Sequence, residues 1–127
     1  MQRRSTNKTL PIGRQLREAR LSARLKIKEL AHKAKVSMAA VYNCERHESG
    51  GRTRTLLRLA KVLGLKLRIP DVAALMKARG LTEAKLAEKA EVAFDTVRAL
   101  LAQPLSGNVK PLEKICAALG HPITLVI

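Results

Sequence analysis

Apolar residues recur every three or four positions along the first half of the chain, which is the spacing of α-helices that each bury one face. Pro11 can begin the first helix, the Ser37 hydroxyl can cap the third, and Gly64 can end the fourth. The inward residues of the four predicted helices are, in order, Leu16, Ala19 and Ala23; Ile27, Leu30, Ala31 and Ala34; Val41 and Cys44; and Leu56, Leu59, Ala60 and Leu63. Only a short break at residues 35–37 separates the second helix from the third.

The spacing changes after the fourth helix. The segment "LKLRI", residues 65–69, alternates apolar and charged side chains, which predicts a short strand. Pro70 ends this segment, and Asp71 is a natural N-cap for a further helix. The rest of the chain repeats the plan, with helices near residues 71–80, 83–90, 94–103 and 109–119 and then "HPITLVI".

The second half of the chain aligns with the first when the sequence is shifted by 56 residues. The matches include Leu25 with Leu81, Leu30 with Leu86, Ala31 with Ala87, Ala34 with Ala90, Val36 with Val92, Val41 with Val97, Leu56 with Leu112, Leu63 with Leu119, and Gly64 with Gly120. These positions are nearly all apolar or Gly, as expected when a core is kept while the surface diverges. The copies should share a fold without necessarily sharing a function.

The predicted fold class is therefore all-α, with two tandem four-helix units that are each followed by a short β-strand. Residues 1–11 form a basic N-terminal arm. The first unit spans residues 12–70, and the second spans residues 71–127.

The two halves of the chain differ in net charge. The chain has 25 Lys and Arg against 10 Asp and Glu, a net charge of +15, which points to an anionic partner. Residues 1–70 carry 18 of the basic residues and 4 acids, whereas residues 71–127 carry 7 and 6. With one Phe, one Tyr and no Trp, the chain lacks the aromatic anchors of a membrane helix and the rings that stack on single-stranded bases. Double-stranded DNA is the expected partner, and no membrane association is expected.

The sequence gives no indication of an enzyme, a metal site or a cofactor. His32, His47 and His121 have no spaced carboxylates or nucleophile near them, and Cys44 and Cys116 lack CxxC spacing. The cysteines should be reduced, buried thiols. Neither a membrane-length apolar run nor a signal segment after "MQRRSTNKTL" is present, so we expect a cytoplasmic, nucleoid-associated protein.

The stretch "LREARLSARLKIKELAHKAKVSMAAVYNCERHESGGRTRTLLRLAKVLGLKL" resembles the lambda-repressor-like, Cro/cI-type helix-turn-helix family. That family's pattern runs roughly L-S-Q-E-E-L-A, then V-S-x-x-x-I-x-x-x-E, then T-L-x-K-L-A-x-A-L-G. The resemblance covers residues 12–69, and residues 72–125 look like a second member that also resembles the short antidote proteins of toxin–antitoxin loci. It implies that the third helix lies in the major groove of DNA. It also implies terminal strands that can pair across a dimer.

On that reading, the outer face of the third helix supplies the candidate base-reading residues, which are Met38, Ala39, Tyr42 and Asn43. Asn43 can bond an adenine edge, and Met38 and Ala39 can touch thymine methyl groups. Tyr42 or Arg46 can instead reach a phosphate. The alternative is a merely solvated helix face.

Phosphate contacts are expected mainly from basic side chains around this helix. The candidates are Lys26, Lys28, Ser37, Arg46, Arg52 and Arg54, with Arg3 and Arg4 in the arm. Lys26-Ile27 stands where the family has Ser-Gln, and Lys26 and Lys28 could replace the lost amide contact by charge. A basic arm can enter the minor groove, although a charged, solvated tail is the alternative.

The second unit is a weaker DNA reader by sequence. Its candidate residues are Phe94, Asp95, Arg98, Ala99, Gln103 and Lys110, the last matching Arg54. Ala93 cannot cap as Ser37 can, and Asp95 would either face phosphates unfavourably or cap the third helix itself.

Two assemblies remain open. The strands "LKLRI" and "ITLVI" can pair within one chain, which gives an internal pseudo-dimer with two unlike reading helices. Alternatively, the near-neutral unit mediates a homodimer that reads an inverted repeat, and the charge asymmetry favours this homodimer.

The function expected from these patterns is sequence-specific binding of double-stranded DNA by a transcriptional regulator, namely a repressor that occludes a promoter. One alternative is an antitoxin whose residues 71–127 hold a toxin. Another is an antiactivator that binds an activator protein and has lost specific DNA recognition.

Overall fold

The computed structural model describes residues 10–46 and 51–127. They form eight helices and two strands: α1 Ile12–Ser22, α2 Ile27–Ala34, α3 Met38–Arg46, α4 Thr53–Val62, β1 Lys66–Arg68, α5 Val72–Arg79, α6 Glu83–Ala90, α7 Phe94–Ala102, α8 Val109–Ala118 and β2 Thr124–Val126. The predicted mostly helical fold is confirmed. No helix in the described part of the chain is long and apolar enough to cross a membrane.

Side chains cap three of the predicted helices at their N-termini. The Ser37 hydroxyl accepts a hydrogen bond from the backbone N–H of Ala40 at 3.0 Å. Asp71 caps α5 and Thr82 caps α6 in the same way, each at 3.1 Å. A side-chain oxygen that accepts from a free backbone N–H therefore stabilises the start of each of these three helices.

The turns between α2 and α3 and between α6 and α7 have the same geometry. Lys35 and Glu91 both adopt left-handed backbone conformations, with φ of 59° and 60°. The next residue in each turn donates its N–H to a carbonyl of the preceding helix, from Val36 to Ala31 and from Val92 to Ala87, both at 3.0 Å. This close match at residues 56 apart fits the repeat found in the sequence.

The core contains most of the predicted apolar residues, but α1 differs from its prediction. Ala19 is half-buried and Ala23, just beyond the end of α1, is exposed, whereas Arg20 is buried. The helix ends at Ser22, so Ala23 lies past the turn that faces the core. The prediction that Ala23 points inward is wrong.

The two strands pair with each other in antiparallel register. Leu67 lies opposite Leu125, flanked by the pairs Lys66 with Val126 and Arg68 with Thr124. The apolar segment "ITLVI" is thus paired within the chain, as in the internal arrangement considered above, rather than across two chains.

The two halves meet a second time just before α4 and α8, at a contact that we call the joint. Arg52 and Asn108 form an antiparallel bridge, in which the N–H of Thr53 donates to Gly107 and the N–H of Val109 donates to Gly51, both at 2.9 Å. Arg52 thus pairs with its own equivalent 56 positions away, and the same shift converts one of the two hydrogen bonds into the other. Such reciprocal contact between equivalent residues is the pattern of a two-fold interface.

The strand pairing follows the same symmetry. Leu67 and Leu125 are 58 positions apart because His121 and Pro122 add two residues after the last helix. Two unsymmetrical bonds tie the halves further: the N–H of Ile12 donates to Glu113 at 2.8 Å, and that of Leu125 donates to Gln15 at 2.9 Å.

Candidate nucleic-acid interface

Helix α3 turns one face into the core and leaves the other exposed. Val41, Cys44 and Glu45 are buried. The opposite face carries the predicted reading residues, all exposed: Met38, Ala39, Tyr42, Asn43 and Arg46. The Arg46 guanidinium lies over the Tyr42 ring, 5.3 Å from its centroid, so these two side chains hold each other along the helix.

The predicted phosphate-binding side chains lie at the starts of helices. Lys26 is the N-cap of α2 and Lys28 follows it, both exposed; the backbone N–H of Lys26 donates to Glu29 at 2.8 Å. Arg52 and Arg54 are exposed at the start of α4. Helix starts favour anions, so these cations stand where phosphates bind well. Ser37 is exposed as well, with its oxygen engaged as the cap of α3, whereas Arg3 and Arg4 lie outside the described residues.

Gly51 lies beside the joint and against α3. Its φ is 72°, and a Cβ at this position would come within 2.8 Å of the Cys44 sulfur. Glycine therefore lets the backbone that precedes Arg52 pack against the inner side of α3. Arg52, the next residue, is thereby placed close to α3.

The equivalent surface on α7 is exposed but differently composed. Phe94, Asp95, Arg98 and Ala99 lie on it, while Gln103 follows the helix and Lys110 begins α8. The Arg98 guanidinium lies 5.9 Å from the Phe94 ring centroid and 3.7 Å from a Glu83 carboxylate oxygen, in a pair that is largely solvated.

The two predictions for the start of α7 have different outcomes. Ala93 is the N-cap of α7 and makes no side-chain capping bond, as expected. Asp95 lies in the first turn of the helix rather than before it, so its suggested role as the cap is wrong. An acidic side chain in the first turn still interacts favourably with the helix dipole.

Behind the reading helix lies an ion pair that the sequence analysis missed. Arg20 of α1 contacts Glu45 of α3 through two hydrogen bonds of 2.6 and 3.1 Å, and it donates a third, of 2.8 Å, to the Leu25 carbonyl. Both charged side chains are buried, with 7% and 0% of their surface exposed. The sequence repeat could have indicated that both positions are buried. The residues 56 positions after Arg20 and Glu45 are Met76 and Leu101, which are both apolar.

Neither cysteine has the character of a reactive or metal-binding group. Burial and the neighbouring Glu45 charge raise the pKa of Cys44 to about 11, and burial raises the pKa of Cys116 to about 12. Both are free thiols in the core, so the expectation of reduced, buried cysteines is confirmed. No group of three or more His, Cys, Asp or Glu that could hold a metal ion occurs within residues 10–46 and 51–127.

Comparison with known families gives a match in the first half of the chain. Residues 11–69 match the family model of a helix-turn-helix domain, and the match covers α1 to α4 and β1. It supports membership of this segment in a helix-turn-helix DNA-binding family. Searches of curated proteins and of solved structures give no match to the chain.

Proposed function

We propose that the protein is a sequence-specific regulator of transcription that binds double-stranded DNA and represses by covering a promoter. The observation that carries this proposal is the exposed outer face of α3, the second helix of the motif within the matched segment. In helix-turn-helix proteins this helix enters the major groove.

The chemistry of that face supports base reading with A·T preference. Asn43 can bond both the N6 and N7 positions of adenine, and Met38 and Ala39 can contact thymine methyl groups. Arg46, held over Tyr42, is directed along the helix and can reach a backbone phosphate. This face thus offers one hydrogen-bonding reader with apolar neighbours.

The basic side chains around α3 can supply the affinity for DNA. Lys26 and Lys28 at the start of α2, together with Arg52 and Arg54 at the start of α4, can each neutralise a phosphate, and Arg46 adds a fifth contact. If these five side chains and one from the N-terminal arm neutralise about six phosphates in all, log K should fall with log[salt] at a slope of about −5. An affinity that does not depend on salt would contradict this part of the proposal.

The domain organisation belongs to the same proposal. Residues 12–70 are the basic reading unit, and residues 71–127 are a diverged second copy of it. The matched turns at Lys35 and Glu91 and the reciprocal joint at Arg52 and Asn108 support a duplication.

The test is selection of binding sites from a random duplex pool, followed by affinity measurements on the enriched site and on random DNA. Asn43→Ala should cost roughly 1–3 kcal/mol on the enriched site and little on random DNA, whereas Arg54→Ala should weaken both. Arg79→Ala, which removes an exposed Arg from the end of α5, is the matched control. Equal losses from Asn43→Ala on both DNAs would contradict base reading.

A protein-interaction module is the second candidate, either an antitoxin or an antiactivator. The observation that favours it is the exposure of large apolar side chains on the two reading faces, with 53% of Met38, 50% of Tyr42 and 43% of Phe94 accessible. If the pool yields no enriched site while DNA binding remains salt-sensitive, this candidate replaces the first.

A further inference from the structure

At the joint, equivalent residues of the two halves pair with each other, as the two subunits of a symmetric dimer do. Equivalent residues meet at Arg52 and Asn108, and again at Leu67 and Leu125, so each contact is locally two-fold, as one approximate axis relating the two halves requires. In dimeric helix-turn-helix proteins such an axis relates two reading helices on one duplex. Here both helices belong to the same chain.

The axis places α3 and α7 in equivalent positions. α3 ends at Arg46, five residues before Gly51, and α7 ends at Ala102, five residues before Gly107. Gly51 and Gly107 both take part in the joint. Helices related by a two-fold axis lie at the same level along it, as two helices must to enter successive major grooves on one side of DNA.

The side chains at equivalent positions differ in chemistry. Met38, Ala39, Tyr42, Asn43 and Arg46 on α3 correspond to Phe94, Asp95, Arg98, Ala99 and Ala102 on α7. None of the five pairs is identical. The two helices therefore cannot prefer the same half-site.

The face of α7 has the groups that recognise a G·C pair. Arginine bonds both O6 and N7 of guanine, which is the commonest specific contact in the major groove, and an acidic side chain accepts from N4 of cytosine. Arg98 is two-thirds exposed, and its 3.7 Å contact with Glu83 is loose enough to be exchanged for a base. The negative charge of Asp95 would be repelled by phosphates. Facing a cytosine, the same carboxylate can accept a hydrogen bond from N4.

We infer that one chain binds one non-palindromic duplex site, with α3 on an A·T half-site and α7 on a G·C half-site where Arg98 reads guanine. This inference rests on the proposed function. The first half then supplies most phosphate contacts through its excess of 14 positive charges, and the second half, with an excess of one, adds specificity.

The experiment uses the full chain, the site enriched from the random pool, and two altered duplexes in which one or the other half-site is scrambled. Native mass spectrometry should give one chain per duplex. Arg98→Ala should lose about 5- to 150-fold affinity on the intact site and nothing more when the G·C half is already scrambled. Asn43→Ala should show the opposite dependence.

Arg98→Lys sharpens the test because it keeps the charge and loses the guanidinium fork. It should bind random DNA as the parent does and discriminate guanine poorly. An enriched inverted repeat occupied by two chains, or an unchanged affinity for Arg98→Ala, would overturn the inference and leave DNA-binding function intact. Failure to enrich any duplex would overturn the proposed function itself.

Discussion

The two halves of the chain attach the reading helix to the rest of the core in different ways. In the first half, α1 is held to α3 by the buried Arg20–Glu45 ion pair. In the second, the equivalent positions hold Met76, which is buried, and Leu101, which is partly buried. The second half therefore has apolar side chains at the two positions where the first half has a buried ion pair.

The first half is also closed more tightly around its reading helix. α1 extends beyond the region equivalent to α5, and a Cβ on Gly13 would lie 2.5 Å from the Cys44 carbonyl oxygen and 2.9 Å from that of Glu45. The start of α1 therefore touches the backbone at the end of α3. Because the same helix start is bonded to Glu113 of the other half, α3 is fixed from both halves.

The largest expected effect comes from breaking the ion pair on one side. Glu45→Leu leaves Arg20 buried without its partner and should lower the free energy of unfolding by about 3–5 kcal/mol. The double variant Arg20→Met with Glu45→Leu copies the second half and should be close to the parent, because apolar pairs can replace buried ion pairs at little cost. Urea unfolding followed by circular dichroism measures both changes.

Glu83→Ala is the matched control for the ion pair. It removes the partner of the exposed Arg98 and should change stability by less than about 1 kcal/mol. If the double variant at Arg20 and Glu45 were as unstable as the single one, the equivalence of the two halves at this position would be refuted.

Most of the fold could be predicted from the sequence, but the contacts between residues far apart in the chain could not. Helical spacing and the side chains of Ser37, Asp71 and Thr82 specify the elements locally, so they are visible in the pattern. The burial of Arg20 depends on a partner 25 residues away that no local rule identifies. Similarly, the alternation in "LKLRI" predicts a strand without naming its partner.

For the candidate site too, only the features that depend on local sequence could be predicted. The exposed face of α3 follows from helical period alone, which is why its residues could be listed in advance. The joint at Arg52 and Asn108 consists of backbone hydrogen bonds in loops, and these leave no side-chain pattern. The two loops lie 56 residues apart in the sequence, and only the hydrogen bonds of the folded chain show that they meet.

A smaller effect tests the symmetry of that joint. The Thr53 hydroxyl is buried and has no hydrogen-bond partner in the described part of the chain, whereas the equivalent residue is Val109. Thr53→Val should raise the free energy of unfolding by about 1 kcal/mol, and Val109→Thr should lower it by about 1–3 kcal/mol. A loss of stability in Thr53→Val would mean that the hydroxyl is satisfied and that the halves differ at the axis. Thermal unfolding of both variants against the parent decides this.

The smallest effect concerns the caps of the two reading helices. Ser37 caps α3 and Ala93 leaves α7 uncapped, so Ser37→Ala should cost about 1 kcal/mol and Ala93→Ser should gain up to a similar amount. Ser37→Asn retains a capping oxygen and separates this role from phosphate binding. If Ser37 acts only as a cap, the Asn variant keeps both stability and DNA affinity. If its hydroxyl also donates to a phosphate, DNA affinity falls in the Asn variant while the unfolding midpoint stays at the parent value.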